Sequence, residues 1–369
     1  MPGTIINNGR DDEMTGRPDK DVYAGITRKR RLFIASLFPV LLALVIWATM
    51  TGAAHLSADT VISAVLDRFV PNHFDVSKTN RIIVWELRLP PIAMAILIGI
   101  ALAAAGCVLQ SILDNPLASP FTLGISSGAG FGAALAIAFH ATALFAGLVP
   151  YDYLVAAYAF LGALFTCFLI YVIGRVKGAS TGTLVLAGIA VSYFFSSSLA
   201  LIQYVVNEDV LRSIVFWMFG SFMTTTWEQV TIIFFAVAAI LPIIYLSSWK
   251  LTALRTGEAS AEALGVDMKR LRLFMLFCAS LLAAVAVCFT GVIGFVGLVA
   301  PHVARIIVGD DHRFLLPAAC LVGPILLVGA HIVSLTVIAP FILPVGVVTS
   351  FIGVPFFLIL VLSKRGAVW

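Results

Sequence analysis

The chain has 369 residues, of which 61% are apolar and only 11% charged, whereas soluble domains run near ~45–50% apolar and ~25% charged. With a mean hydropathy of +1.05, that balance excludes a soluble enzyme, a disordered chain and a nucleic-acid binder. The formal charge of +4, from 23 Lys and Arg against 19 Asp and Glu, is informative through its distribution rather than its total.

Residues 1–31 form a polar tail ending in Arg28, Lys29, Arg30 and Arg31. The first apolar run, 32–50, lies deeper and is longer than the core of a secretory signal and lacks its small-residue cleavage site. It is therefore expected to be retained as a first span. Nine further apolar stretches follow at 92–113, 122–140, 153–173, 184–206, 230–246, 271–289, 292–308, 314–331 and 345–362. Each carries, or nearly carries, the ~17–25 residues of a spanning helix. The pattern predicts an all-α integral membrane protein of about ten transmembrane helices, softest at Gly291 and Gly294, where a tight turn or a broken helix is expected. An even number of spans puts both termini on one side.

Charge tests that topology. With the N-terminus inside, the inner segments hold seven Lys and Arg before the first span, then Arg175 and Lys177, then Lys250, Arg255, Lys269, Arg270 and Arg272. Arg305, Arg313, Lys364 and Arg365 complete the inner set, and only Arg68, Lys78, Arg81, Arg88 and Arg212 remain outside. Eighteen against five is the asymmetry of the positive-inside rule, so both termini are expected in the cytoplasm.

No Asp or Glu falls inside the ten stretches. Ion-coupled carriers keep acidic residues at membrane depth as relays or ligands, which makes a secondary carrier or channel the weaker alternative. The six histidines (His55, His73, His140, His302, His312, His331) are dispersed, without HExxH or ligand spacing. The cysteines Cys107, Cys167, Cys278, Cys288 and Cys320 sit singly in apolar runs and read as small core residues. No acid, base and nucleophile set suggests an enzyme, and without a GxxxxGK[ST] loop the chain cannot cradle nucleotide phosphates. If transport is active, its energy must therefore come from another chain.

A loop at 247–272 separates the sixth and seventh stretches, and its centre, 257–266, reads as a short helix ended by Gly265. Small residues beside Leu264 and Val266 suit close approach by a partner, although an ordinary solvated loop helix explains them as well. Asp114, Asn115, Pro116, Leu117, Ala118, Ser119 and Pro120 form a short turn, since its prolines cannot continue a helix. Gly124, Gly128 and Gly132 come next as consecutive GxxxG steps for close helix packing. Gly291, Gly294 and Gly297 either do the same or break a helix. Pro301, His302 and Arg305 read as chain descending to the cytoplasmic interface, with His302 as a structural residue.

From about Glu86 to Arg365, the chain resembles the permease subunits of type II ABC importers for iron chelates, haem and cobalamin. The resemblance rests on motifs in order: Arg88-Leu89-Pro90, 106–110, Asn115-Pro116-Leu117-Ala118, 124–129, Leu186-Ala187-Gly188 and 217–221. Leu264-Gly265-Val266, 295–305, 309–313, Leu343-Pro344-Val345-Gly346 and 353–357 complete the series. It implies two permease subunits lining one path, two cytoplasmic ATPase subunits and a periplasmic or lipoprotein binding protein that delivers the chelate. ATP and Mg are then used by the partners, and this chain binds no cofactor. The ATPase-coupling residues implied are Glu258, Ala259, Ala261, Glu262, Leu264, Gly265 and Val266. The cytoplasmic gate implied is Asn115, Pro116 and Leu117 with Ser180, Thr181 and Gly182. The fifth stretch would face the path through Ser192, Ser196, Gln203 and Tyr204, of which Ser196 and Gln203 serve equally well as helix–helix contacts.

Arg88 matches an arginine with which the family docks its binding protein. The second such arginine is replaced by Pro91, while His331, Leu335 and Ile342 stand where the family often has acidic or basic residues. Fewer charge pairs weaken docking, so a heterodimer with a different permease subunit is favoured over a homodimer. Arg81 or Arg212 offers the alternative compensation. The function expected is import of a ferric siderophore or related chelate across a bacterial cytoplasmic membrane, with haem and cobalamin as neighbouring alternatives.

Overall fold

The computed structural model describes residues 20–362 apart from 53, 71, 72, 75, 140–149 and 256. The expectations for residues 1–19, His140, Lys364 and Arg365 lie outside the described residues. All described regular structure is helical, in the order α1 (Lys20–Met50), α2 (Ala58–Asp67), α3 (Lys78–Ile82), a π turn (Ile83–Arg88), α4 (Leu89–Ile112), α5 (Ile125–Phe139), α6 (Tyr151–Lys177) and α7 (Thr181–Val205). Then come α8 (Glu208–Met218), α9 (Trp227–Leu246), α10 (Ser248–Leu254), α11 (Glu258–Ala263), α12 (Met268–Thr290), α13 (Val296–Val308), α14 (His312–Thr336) and α15 (Val345–Leu362).

Every expected apolar stretch contains a helix. Among the described residues, seven helices are long and apolar enough to cross a membrane: α1, the run Lys78–Ile112, α6, α7, α9, α12 and α14. Helices α5, α13 and α15 are shorter apolar helices. Helix α5 is short because Gly124, at φ +78°, holds a turn before it, so only two of the three GxxxG glycines are helical. Helix α13 is short because Gly291 (φ +72°) and the left-handed Phe295 break the chain after α12. At the other extreme, α1 begins at Lys20 rather than at 32. The basic cluster is helical because Lys and Arg are good helix formers and extending a formed helix is cheap. Helices α2, α3 and α8 lie outside the apolar stretches and start at side-chain caps, Ser57 accepting from Thr60 N, Ser77 from Asn80 N and Asn207 from Val210 N.

Helix α4 forms the centre of the molecule, packed against α9, α12, α13 and α14 and buried from Ala101 to Ile112. Lipid gives helices no hydrophobic reason to associate, so close contact depends on small side chains. The sequence of α4 supplies them: Gly99 lies against Gly323 and Pro324 of α14, and Gly106 against Gly297 of α13. A second close pair joins α5 to α6 through Gly128, Gly132 and Gly162. Helix α1 lies on α14, while α7 and α15 turn large apolar side chains outward, among them Leu186, Tyr193, Phe351 and Ile359.

A Cβ at Gly106 would overlap the Gly297 carbonyl, whereas one at Gly294 meets nothing within 4 Å. Gly106→Val is therefore expected to cost at least the ~1–3 kcal/mol of an overpacked core, and Gly294→Ala almost nothing. Thermal melting of the two variants in detergent checks this, and equal melting temperatures would contradict the packing described.

Candidate functional site

Side chains from distant parts of the chain converge around the 247–272 loop. Helix α12 is capped by Asp267, whose carboxylate accepts from Arg270 N at 3.0 Å, and this cap fixes the direction of the first turn of the helix. Arg272, just beyond that cap, is buried. Its Nε donates to Ile112 O at 3.0 Å and its Nη1 to Ala179 O at 3.3 Å. Its Nη2 donates to Thr181 Oγ1 at 3.3 Å and to Glu258 Oε1 at 2.5 Å. One guanidinium thus joins the end of α4, the start of α7 and the first residue of α11.

A second network lies beside it. Arg255, at the end of α10, pairs with Asp114 at 3.0 Å and with Asp310 at 3.6 Å. Asp310 also pairs with the buried Arg305 at 2.8 Å, and Arg305 donates to the equally buried Gln110 at 3.0 Å. Gln110 in turn donates to Leu298 O at 3.3 Å, which ties α4 to α13. His312 is enclosed between Ser111 Oγ at 2.5 Å and Thr252 Oγ1 at 3.4 Å. Asp311, capping α14, is held below the usual carboxylate range chiefly by its hydrogen bond to the Arg313 side chain.

The two turns expected as a gate adjoin these networks. Asn115 Oδ1 accepts from Leu117 N at 2.9 Å, an Asx turn placed directly after the left-handed Asp114 (φ +41°). Ser180 caps α7 by accepting from Thr183 N at 3.3 Å, Thr181 is bound by Arg272, and Gly182 has nothing within 4 Å of its Cβ direction. Leu117 opens onto a groove of about 860 Å³ shared with Phe121, Met218, Phe295 and Phe351, where the polar side chains are the hydroxyls of Ser119, Thr122 and Ser350.

The residues expected to meet an ATPase lie together on and just beyond α11. Ala261 is fully buried and Val266 nearly so, while Glu258, Ala259, Glu262, Leu264 and Gly265 are exposed. The α7 residues are more divided. Ser192 and Ser196 each meet Ser127 of α5, at 3.1 and 3.3 Å. Gln203 reaches the Met218 sulfur at 3.8 Å, whereas Tyr204 is 87% exposed. Arg88 donates to Thr49 O at 3.2 Å and to Ala54 O at 2.8 Å, fastening the chain after α1 to the start of α4. Pro91 is buried in the first turn of α4, His331 packs edge-on against Phe222, Leu335 is partly buried and Ile342 exposed. Among the described residues, no group of three or more His, Cys, Asp or Glu could hold a metal ion.

The sequence pattern alone does not reveal the network around Arg272 or the one that Arg255 and Arg305 share through Asp310. Its one available signal is a cation inside the apolar stretches at 272 and 305, a position that demands a partner.

The structure is thus a helical bundle with long apolar helices, an apolar groove and polar networks beneath one loop. The chain belongs to the FecCD transport family, whose model matches residues 40–363, and it is an ABC-importer permease without catalytic function. It is 39% identical over 350 residues to a protein of Methanocaldococcus jannaschii assigned as an ABC transporter permease, covering 92% of this chain and 97% of that one. A Helicobacter pylori permease assigned to iron chelatin transport is 37% identical over 80% of this chain and 88% of its own. The fold matches a transporter assigned to the metal-chelate ABC type and solved in an inward-facing conformation. The TM-score is 0.77 and the identity 32%, over 89% of this chain and 98% of that one.

Arg305→Met leaves the buried Gln110 carbonyl oxygen without its donor, a loss of about 1–3 kcal/mol for an orphaned buried acceptor. The expected result is a lower melting temperature with the helical content retained, read by circular dichroism in detergent. An unchanged melting temperature would contradict the network.

Proposed function

We propose that the chain is the membrane-spanning subunit of an ATP-driven importer for a ferric siderophore or related iron chelate. It crosses a bacterial cytoplasmic membrane ten times with both termini inside. Residues 1–31 precede a permease domain at 32–365, within which 247–272 is the coupling loop. Two ATPase subunits dock on Glu258, Ala259, Ala261, Glu262, Leu264, Gly265 and Val266. Asn115, Pro116, Leu117, Ser180, Thr181 and Gly182 form the inner gate, and α7 presents Ser192, Ser196, Gln203 and Tyr204 toward the path. A binding protein docks outside on Arg88. The second permease subunit is a different chain that supplies further docking charge.

The observation that carries this reading is the short helix α11, set on a loop whose arginines reach both gate turns. An importer for a bulky chelate needs no catalytic side chain. ATP-driven closure of the partners shifts the population between two packings of the permease, and a wall without charge releases its cargo readily. The iron chelatin assignment of the Helicobacter pylori relative supports iron as cargo.

Radio-iron uptake by cells lacking this gene, against a panel of ferric siderophores and haem, tests the proposal. Uptake of one chelate is expected to vanish, to return with the intact gene, and to stay absent when the partner ATPase cannot hydrolyse ATP. Unchanged iron uptake alongside lost cobalamin uptake would replace iron as the cargo. Uptake that survives an inactive ATPase would favour an ion-coupled carrier.

A further inference from the structure

The arginine that joins the coupling loop to the gate is placed as a transmission element. We propose that Arg272 is the positioning residue through which movement of α11 reaches both gate turns, with Glu258 as the point where that movement is applied; this rests on the importer reading above. The Arg272 side chain is 8% exposed, and Glu258, 61% exposed, is its ion-pair partner at 2.5 Å. A buried guanidinium separated from its counter-charge is strongly unfavourable, so Arg272 must move with Glu258 when the loop shifts.

The other bonds of Arg272 decide which segments are drawn along with it. Ile112 O is the last carbonyl of α4, directly before the Asp114–Leu117 turn, and Ala179 O and Thr181 Oγ1 flank the first turn of α7. The planar fork reaches all of these acceptors at once, which a lysine ammonium on a flexible stem does not do with the same geometry. On the other side of α11, the Arg255–Asp114 pair attaches the loop to the first gate turn again. That pair is weaker, because the Asp114 side chain is 77% exposed and water screens it. The two turns are therefore drawn by one buried cation rather than moving independently.

The test measures hydrogen exchange in the complex of the full chain with its co-expressed ATPase subunits in lipid nanodiscs, with and without ATP and Mg. ATPase variants unable to hydrolyse ATP hold the bound state. In the parent complex, ATP is expected to change exchange in peptides covering 257–266, 112–118 and 178–184. In Glu258→Gln the change at 257–266 is expected to persist while both gate peptides lose it. Glu258→Gln keeps a side-chain carbonyl that can accept from Arg272, its folding is checked by circular dichroism and size exclusion, and Arg272→Lys, which retains the charge, is expected to show the same loss. The hydrolysis-competent Arg272→Lys complex is expected to keep an ATPase rate within about twofold of the parent.

Gate peptides that respond in Glu258→Gln as in the parent would overturn the proposal. So would a joint fall of ATPase rate and loop response, which would make Glu258 a docking contact only. A parent complex whose loop responds and whose gate peptides do not would overturn the transmission role alone. A parent chain that associates with no ATPase would overturn the importer reading, and the proposal with it.

Discussion

A helix surrounded by other helices in a membrane has to be narrow, and the architecture results from meeting that condition in α4. Its run of glycine and alanine brings the backbones of α13 and α14 against its own at Gly106 and Gly99. A helix so enclosed cannot satisfy its last carbonyls with water, so other chain segments must supply donors. Arg272 does this for Ile112, and the neighbouring Gln110 side chain accepts from Arg305. Burying α4 thus requires buried cations, and those cations require the acidic residues Glu258 and Asp310. The polar networks beneath the loop are the electrostatic consequence of a tightly packed central helix.

The same constraint explains why the groove beside Leu117 is nearly without charge. Charged side chains gather in the loops and at the helix ends, where they can meet water or one another, and the groove lining holds none. The groove wall is mostly phenylalanine, valine and leucine, with Met218 and the hydroxyls of Ser119, Thr122 and Ser350. Such a wall contributes shape and weak contacts, which suits a protein whose work is to change packing rather than to hold or convert its cargo.

Much of this was legible in the sequence because membrane spans leave long apolar runs, and each of those runs contains a helix. The glycines at 291 and 294 marked the break before α13, and the prolines at 116 and 120 marked the turn after α4. Helices α2 and α8 were not legible, since ten or eleven residues of mixed polarity resemble a loop until caps and neighbours are known. Ser196 and Gln203 could be read either way from sequence, and the structure gives each a partner on another helix, α5 for Ser196 and α8 for Gln203. The Arg272 hub was invisible for a geometric reason. Two of its acceptors are backbone carbonyls 160 and 93 residues away, and carbonyls carry no signature in the amino-acid code.

The central claim is that a separate ATPase drives this bundle through the 247–272 loop. Its most direct test is site-specific photocross-linking from Leu264, which is 63% exposed on the loop, in cells that express the partner subunits. The account predicts a covalent adduct with an ATPase subunit, identified by mass spectrometry, and none from an equally exposed position such as Phe69 at the other end of the molecule. An adduct with no ATPase, or equal capture from both positions, would contradict it.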